Sequence, residues 1–303
     1  MEMYDVIIIG GGPGGLSAAI YASRHMLTTL LLEKGVCGGL LLETPIIENF
    51  PGFPDGVSGG ELAERLKHQA EKFGTKINEF EEAKEITLST EGIRIDGGRY
   101  CARTLIMASG GTPKRLEIPG EEEYRGRGLS YCAVCDGPLY KEREVVVIGG
   151  GDGAVAEALF LTRFVKGLTL IHRRDRLRAT RILQERLRKS ENVKFLWNSE
   201  PVKILGSRHV EGIRVLDKER DEEFDIPCEG IFVFLGLRPN THLLKGIVEL
   251  DQDGYVITDE WMRTSSPGIF ACGDCRRRPL HQVITACGEG AIAATSAKDY
   301  LER

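Results

Sequence analysis

Residues 130–137 read SYCAVCDG, which places Cys132 and Cys135 two residues apart with Asp136 directly after. Two thiols at that spacing can be half of a metal site, a structural disulfide or a dithiol that carries electrons. Eight cysteines in 303 residues are too few for a disulfide scaffold. A close pair in a reducing compartment points to metal binding or catalysis before stapling. If the pair carries electrons, the rest of the chain must supply a donor and a relay.

Two glycine turns offer both. Gly10, Gly12 and Gly15 form GxGxxG, with Pro13 inside the turn, between an apolar run ending at Ile9 and the helix-like LSAAIYASRH. The first glycine permits a tight turn, the second lets backbone approach a pyrophosphate, and the third lets helix and strand pack closely. The next strand, LTTLLL, ends at Glu33, which suits a free ribose diol and repels a 2′-phosphate. That combination fits FAD. The unit recurs: Glu144–Ile148 is a strand, Gly149, Gly151 and Ala154 form GxGxxA around Asp152 and Gly153, and LTLI ends at His172. Gly10 to Glu33 and Gly149 to His172 are both intervals of 23 residues. Here the acid is replaced by HRRDRLR, whose Arg173, Arg174 and Arg178 offer planar cations for a phosphate. The second unit should therefore prefer NADPH to NADH. The alternative is a solvated charged turn.

These residues need a scaffold of two α/β units. Each glycine unit is followed by a later apolar strand ending in GxxP, Gly110 to Pro113 and Gly236 to Pro239. A third segment, TSSPGIFACGDCRRRPLHQVITACGEGAIAATSAKDYL, adds a short strand, Gly273-Asp274 and a helix from about Gly288. One nucleotide domain held between two parts of another calls for crossings near 113–118 and 241–247. The fold expected is α/β, with two Rossmann-like three-layer domains, the second inserted in the first.

Composition agrees with a globular chain: 42% hydrophobic, 28% charged and a formal net charge of −5. No single-sign block suggests nucleic-acid binding, and no apolar run is long enough for a membrane span. Glu2 and Asp5 stand where a signal peptide needs positive charge, so the expected location is cytoplasmic.

Over nearly its whole length the sequence resembles the low-molecular-weight thioredoxin reductases of bacterial and archaeal type. The resemblance rests on GGGPGG, ENFPG at 48–52, GRGLSYCAVCDG, GGGDGAVAEA, HRRDRLRA, GLRPNT and SPGIFACGD followed by HQV, in family order. It implies a homodimer in which residues 1–113 and 245–303 bind FAD and residues 114–244 bind NADPH and carry the redox cysteines. It also implies FAD contacts from Gly10, Gly12, Pro13, Gly15, Glu33, Lys34, Gly39, Leu40, Asn49, Gly110, Gly273, Asp274, His281, Gln282 and Val283. Implied NADPH contacts are Gly149, Gly151, Asp152, Gly153, Ala154, His172, Arg173, Arg174 and Arg178. By the same resemblance, Cys135 is expected to face the flavin, Cys132 to attack thioredoxin or a similar protein, and Asp136 to be the acid, a role that calls for burial. The alternative for Asp136 is a helix N-cap after CAVC. Because the disulfide and nicotinamide share a domain, the resemblance implies that they reach the flavin by turns, through rotation about the crossings.

Some positions depart from the family pattern. Leu40 stands for glutamine, His281 for arginine, Ser109 for threonine and Gly153 for serine or threonine. A histidine is charged only when protonated, so the His281 exchange is expected to make stabilisation of a reduced flavin anion weaker or pH-dependent. Cys272 and Cys275 form a second CxxC, for which a metal shared with Cys132 and Cys135, a second redox disulfide and buried inert thiols are the readings. The default is inert thiols, with no metal, and Cys37, Cys101, Cys228 and Cys287 are read as small core or surface residues. Rival functions are a relative using ferredoxin or a deazaflavin, a dithiol oxidase, a ferredoxin–NADP reductase, a reductase of glutaredoxin-like or peroxiredoxin-type acceptors, and a flavin-binding sensor.

Overall fold

The computed structural model describes residues 3–90 and 92–302. Two units divide at Thr112/Pro113 and Leu237/Arg238. The outer one takes both chain ends and the inner one is the insertion.

In the outer unit the strand Met3–Ile9 lies between parallel neighbours Thr29–Leu32 and Tyr100–Met107, with Lys76–Asn78 beyond the first. Tyr100–Met107 is long enough to serve two partners along its other edge. Its end pairs in parallel with Ile269–Ala271, and its start pairs antiparallel with Gly92–Ile95, which continues to Ile86–Ser89. Alternation along the buried strands fills two cores. Ile7, Ile9, Leu105 and Met107 face Ile86, Ile93, Leu244 and Val256. Val6, Ile8, Ile106 and Phe270 face Leu16, Ala19, Ala293 and Ala297 of the helices Pro13–Arg24 and Val283–Leu301.

The inner unit repeats this plan. Its five parallel strands run in the order Val193–Leu196, Gly167–Ile171, Glu144–Gly149, Gly230–Phe234 and Leu129–Ser130. Val145, Val147 and Leu170 pack on the helix side with Val155, Ala158 and Leu187. Val146, Ile148 and Val233 pack with Ile204, Ile213 and Val215 of the antiparallel strands Ser199–Gly206 and Val210–Asp217.

Two expectations from sequence need correction. The second crossing comes before 238, not in 241–247, because residues 238–244 are bound into the outer unit. Asn240 accepts from the Ser109 hydroxyl through its carbonyl (2.6 Å), and its amide nitrogen donates to the Ser109 carbonyl (3.0 Å). Leu244 is fully buried in the outer core. The last helix begins at Val283, not near Gly288. Gln282 and Thr285 close a capping box at its start. Gly290 lies inside it because a Cβ there would strike the Gly14 carbonyl of the first helix.

Candidate active site

The strand Met3–Ile9 delivers the chain to Gly10, whose φ of +106° a side chain would resist. A Cβ on Gly15 would collide with the Gly10 carbonyl, so helix and turn meet only as glycine on glycine. Gly12 differs. Nothing lies within 4 Å of the place its Cβ would occupy, which leaves backbone open to a ligand. Pro13 opens the helix, no acid stands in its first turn, and no side chain caps it. An anion meets free N–H groups there. Glu33 is fixed against this turn: its two oxygens accept from Gly11 N–H (2.7 Å) and Gly35 N–H (2.8 Å). Lys34 beside it is exposed. Gly39 packs onto Gly12, its Cβ position 3.3 Å from the Gly12 Cα, and Leu40 follows half-buried.

Three other segments of the outer unit carry the remaining candidates. The Asn49 amide donates to Gln282 Oε1 (2.9 Å), joining two residues far apart in sequence, and Val283 packs with Leu41 and Ile47. Gly110 turns at φ +62° and accepts from Asn240 N–H (3.0 Å). Gly273 donates its N–H to Glu289 Oε2 (2.8 Å), and Asp274 pairs with Arg278. Arg278 also reaches Glu289 (3.2 Å), and so does Arg276 (2.7 Å). His281 Nδ1 stands 3.4 Å from Asp274. Burial, with the Arg278 charge, pulls the His281 pKa below its ordinary value.

In the inner unit, Gly151 and Gly153 are open in the same way as Gly12, while Ala154 is buried beneath them. The arginine loop is stapled to this turn. The Gly150 carbonyl accepts from Arg178 N–H (2.7 Å) and Ala179 N–H (3.2 Å), and Asp152 Oδ1 accepts from Thr180 N–H (2.6 Å). Arg173, Arg174 and Arg178 are exposed around the loop, whereas His172 is buried with its ring against Gly150. His172 thus supports the turn from beneath, and desolvation pulls its pKa down.

Cys132 and Cys135 are joined in a disulfide, with Cα atoms 5.4 Å apart. Cys132 caps, and Cys135 lies within, the four-residue helix Ala133–Asp136, where Cys132 Sγ accepts from Cys135 N–H (3.1 Å). Cys135 is exposed and Cys132 half-buried. Asp136 ends this helix and stands at the N-cap position of the 3-10 turn Gly137–Tyr140 that follows, but its side chain makes no capping bond there. Its Oδ2 accepts instead from the Ser130 hydroxyl (2.6 Å), whose oxygen accepts from Cys132 N–H (3.1 Å). Ser130 escaped the sequence reading, since a serine two residues before a cysteine carries no pattern of its own. Glu121 escaped too: buried, it accepts from Leu116 N–H (2.7 Å), Glu117 N–H (2.7 Å) and the Tyr131 hydroxyl, anchoring the redox loop.

Cys272 and Cys275 are free thiols without solvent exposure, and burial pushes both up, Cys275 to about 11. Cys37, Cys101 and Cys228 are buried thiols outside any disulfide, and Cys287 is half-buried.

Duplicated glycine-turn units with a CxxC disulfide on the inserted one define a pyridine nucleotide-disulphide oxidoreductase, and residues 4–290 match that family. The chain is 44% identical to the thioredoxin reductase of Listeria monocytogenes, over 99% of this chain and 95% of that protein. The solved thioredoxin reductase of Lactococcus lactis (FR conformation) superposes with a TM-score of 0.96 at 41% identity, covering 99% of both chains. That of T. acidophilum gives 0.95 at 36% identity, covering 99% of this chain and all of the other. The chain belongs to the low-molecular-weight thioredoxin reductases. Among the described residues, no helix is long and apolar enough to cross a membrane.

Proposed function

We propose that this chain passes electrons from NADPH, through FAD, to the Cys132–Cys135 disulfide and on to the disulfide of thioredoxin or a thioredoxin-like protein. The observation that carries the reading is the formed disulfide on the same unit as an arginine-flanked glycine turn. The open cradle at Gly12, the oriented Glu33 and the Asn49–Gln282 pair fit FAD, with Pro13, Gly15, Lys34, Gly39, Leu40, Gly110, Gly273, Asp274, His281 and Val283 around it. FAD supplies a carrier that takes a hydride from nicotinamide and gives two electrons to a disulfide. Gly149, Gly151, Asp152, Gly153, Ala154 and His172 shape the NADPH side. Arg173, Arg174 and Arg178 meet its 2′-phosphate.

Once the pair is reduced, exchange proceeds on this chain's own sulfurs. The Cys132 thiolate attacks one sulfur of the partner disulfide, forming a mixed disulfide and releasing a partner thiolate, which takes a proton from Asp136. The Cys135 thiolate then attacks Cys132 Sγ, releasing the second partner thiolate and restoring the Cys132–Cys135 bond. The partner is reduced as the dithiol is oxidised. Because the arginine-flanked glycine turn and the disulfide lie on one unit, they serve the flavin by turns; the working assembly is a homodimer.

The test is anaerobic reduction of the FAD-loaded protein by NADPH and by NADH, followed by turnover on thioredoxin. NADPH should bleach the flavin at lower concentration than NADH. Cys132→Ser and Cys135→Ser should retain that bleaching and lose transfer to thioredoxin. Transfer surviving in either variant refutes the exchange scheme.

A further inference from the structure

His281 stands 3.4 Å from Asp274 as a cation that exists only when protonated. The structure supplies a permanent one beside it. Arg278 has a side chain only 1% exposed, and its guanidinium bridges Asp274 and Glu289. Glu289 in turn accepts from Arg276 and from the Gly273 N–H. Two guanidiniums therefore face two carboxylates, and charge balances with His281 neutral. A proton on His281 would add a third cation next to Arg278, and burial opposes it as well. The groups facing His281 are Asp274, Arg278, Glu289 and the Tyr255 ring, whose centroid is 5.8 Å away.

We propose that Arg278, not His281, is the positioning cation of this site: it holds the Asp274 carboxylate oriented toward the flavin whether or not His281 carries a proton. The proposal rests on the FAD reading above. It revises the pH dependence that the His281 exchange suggests from sequence alone. Arg278 acts at two points. It orients the Asp274 carboxylate directly, and through Glu289 it secures the Gly273 N–H that shapes the turn before it. A planar, always-charged fork that reaches two carboxylates at once suits that task where a single imidazole does not.

The experiment measures FAD affinity by reconstitution of apoprotein, and flavin midpoint potential, across pH 5.5–8.5 in the parent, His281→Gln, Arg278→Lys and Arg278→Gln. His281→Gln alters one wall of the flavin site and should shift affinity and potential by a constant offset, keeping the parent's slope of both against pH. Arg278→Gln should weaken FAD binding about tenfold or more, the scale of one lost charged hydrogen bond. Arg278→Lys should recover part of the loss. His281→Gln is half-exposed and decides the matter even if Arg278→Gln fails to fold. A changed slope against pH in His281→Gln overturns the proposal, as does an Arg278→Gln variant that matches the parent. A parent that takes up no FAD overturns the proposed function, and this inference with it, whereas the His281 outcome overturns the inference alone.

Discussion

Ser130→Ala removes one oxygen and disturbs two partners of the redox loop. The hydroxyl donates to Asp136 at 2.6 Å and accepts from Cys132 N–H at 3.1 Å. A hydrogen bond to a carboxylate contributes about 1.5–3 kcal/mol, and Asp136 is half-buried, so the lower end applies. If that energy orients Asp136 toward the leaving thiolate, its loss raises the barrier of exchange by about 1.4 kcal/mol, or roughly tenfold in rate. Flavin reduction by NADPH does not involve this loop and should keep its rate. Stopped-flow mixing of the NADPH-reduced enzyme with oxidised thioredoxin isolates the exchange step. A double-mutant cycle with Asp136→Asn separates orientation from general loosening. Acting through Asp136, Ser130→Ala should cost little further in the Asp136→Asn background. Parental exchange in Ser130→Ala, or full additivity of the two losses, refutes the reasoning.

Two further outcomes concern stability. Gly290→Ala places a methyl against the Gly14 carbonyl and 2.9 Å from Ala18 N, all backbone, so the first and last helices must part. Overpacking of about 1–3 kcal/mol should outweigh the roughly 1 kcal/mol that alanine adds to helix propensity, lowering the urea midpoint; a raised midpoint contradicts this packing. His172 is held neutral by burial, with its folded pKa below the ordinary 6.5, so the unfolded chain binds the extra proton first. Its contribution is complete above pH 6.5 and is lost as pH falls from there toward the folded value, with a slope of at most about 1.4 kcal/mol per pH unit. In His172→Gln, urea midpoints between pH 5 and 6.5 should lose that part of the slope, and an unchanged slope would falsify the assignment.

What could be read from sequence was whatever depends on local backbone. Gly10, Gly12 and Gly15 announce a turn because their spacing encodes close contacts within one strand–turn–helix unit, and the structure folds Gly15 onto Gly10. The CxxC disulfide is local in the same sense. The misplaced crossing had a different origin. Asn240 and Leu244 look like a linker after GLRP, and only long-range bonds to Ser109 and burial beside Ile7 assign them to the outer unit. The helix start at Val283 is hidden locally because the β-branched VIT and two glycines argue against helix, while Gln282–Thr285 capping and the Gly290–Gly14 contact decide for it. The charge at Asp274 follows the same logic. Read along the chain, His281 takes the place of an arginine and a cation is lost. Read in space, Arg278 lies on the carboxylate and Glu289 arrives from a helix fifteen residues further on to balance it. A substitution in a motif thus measures a loss of function only after the side chains that share its partner have been counted.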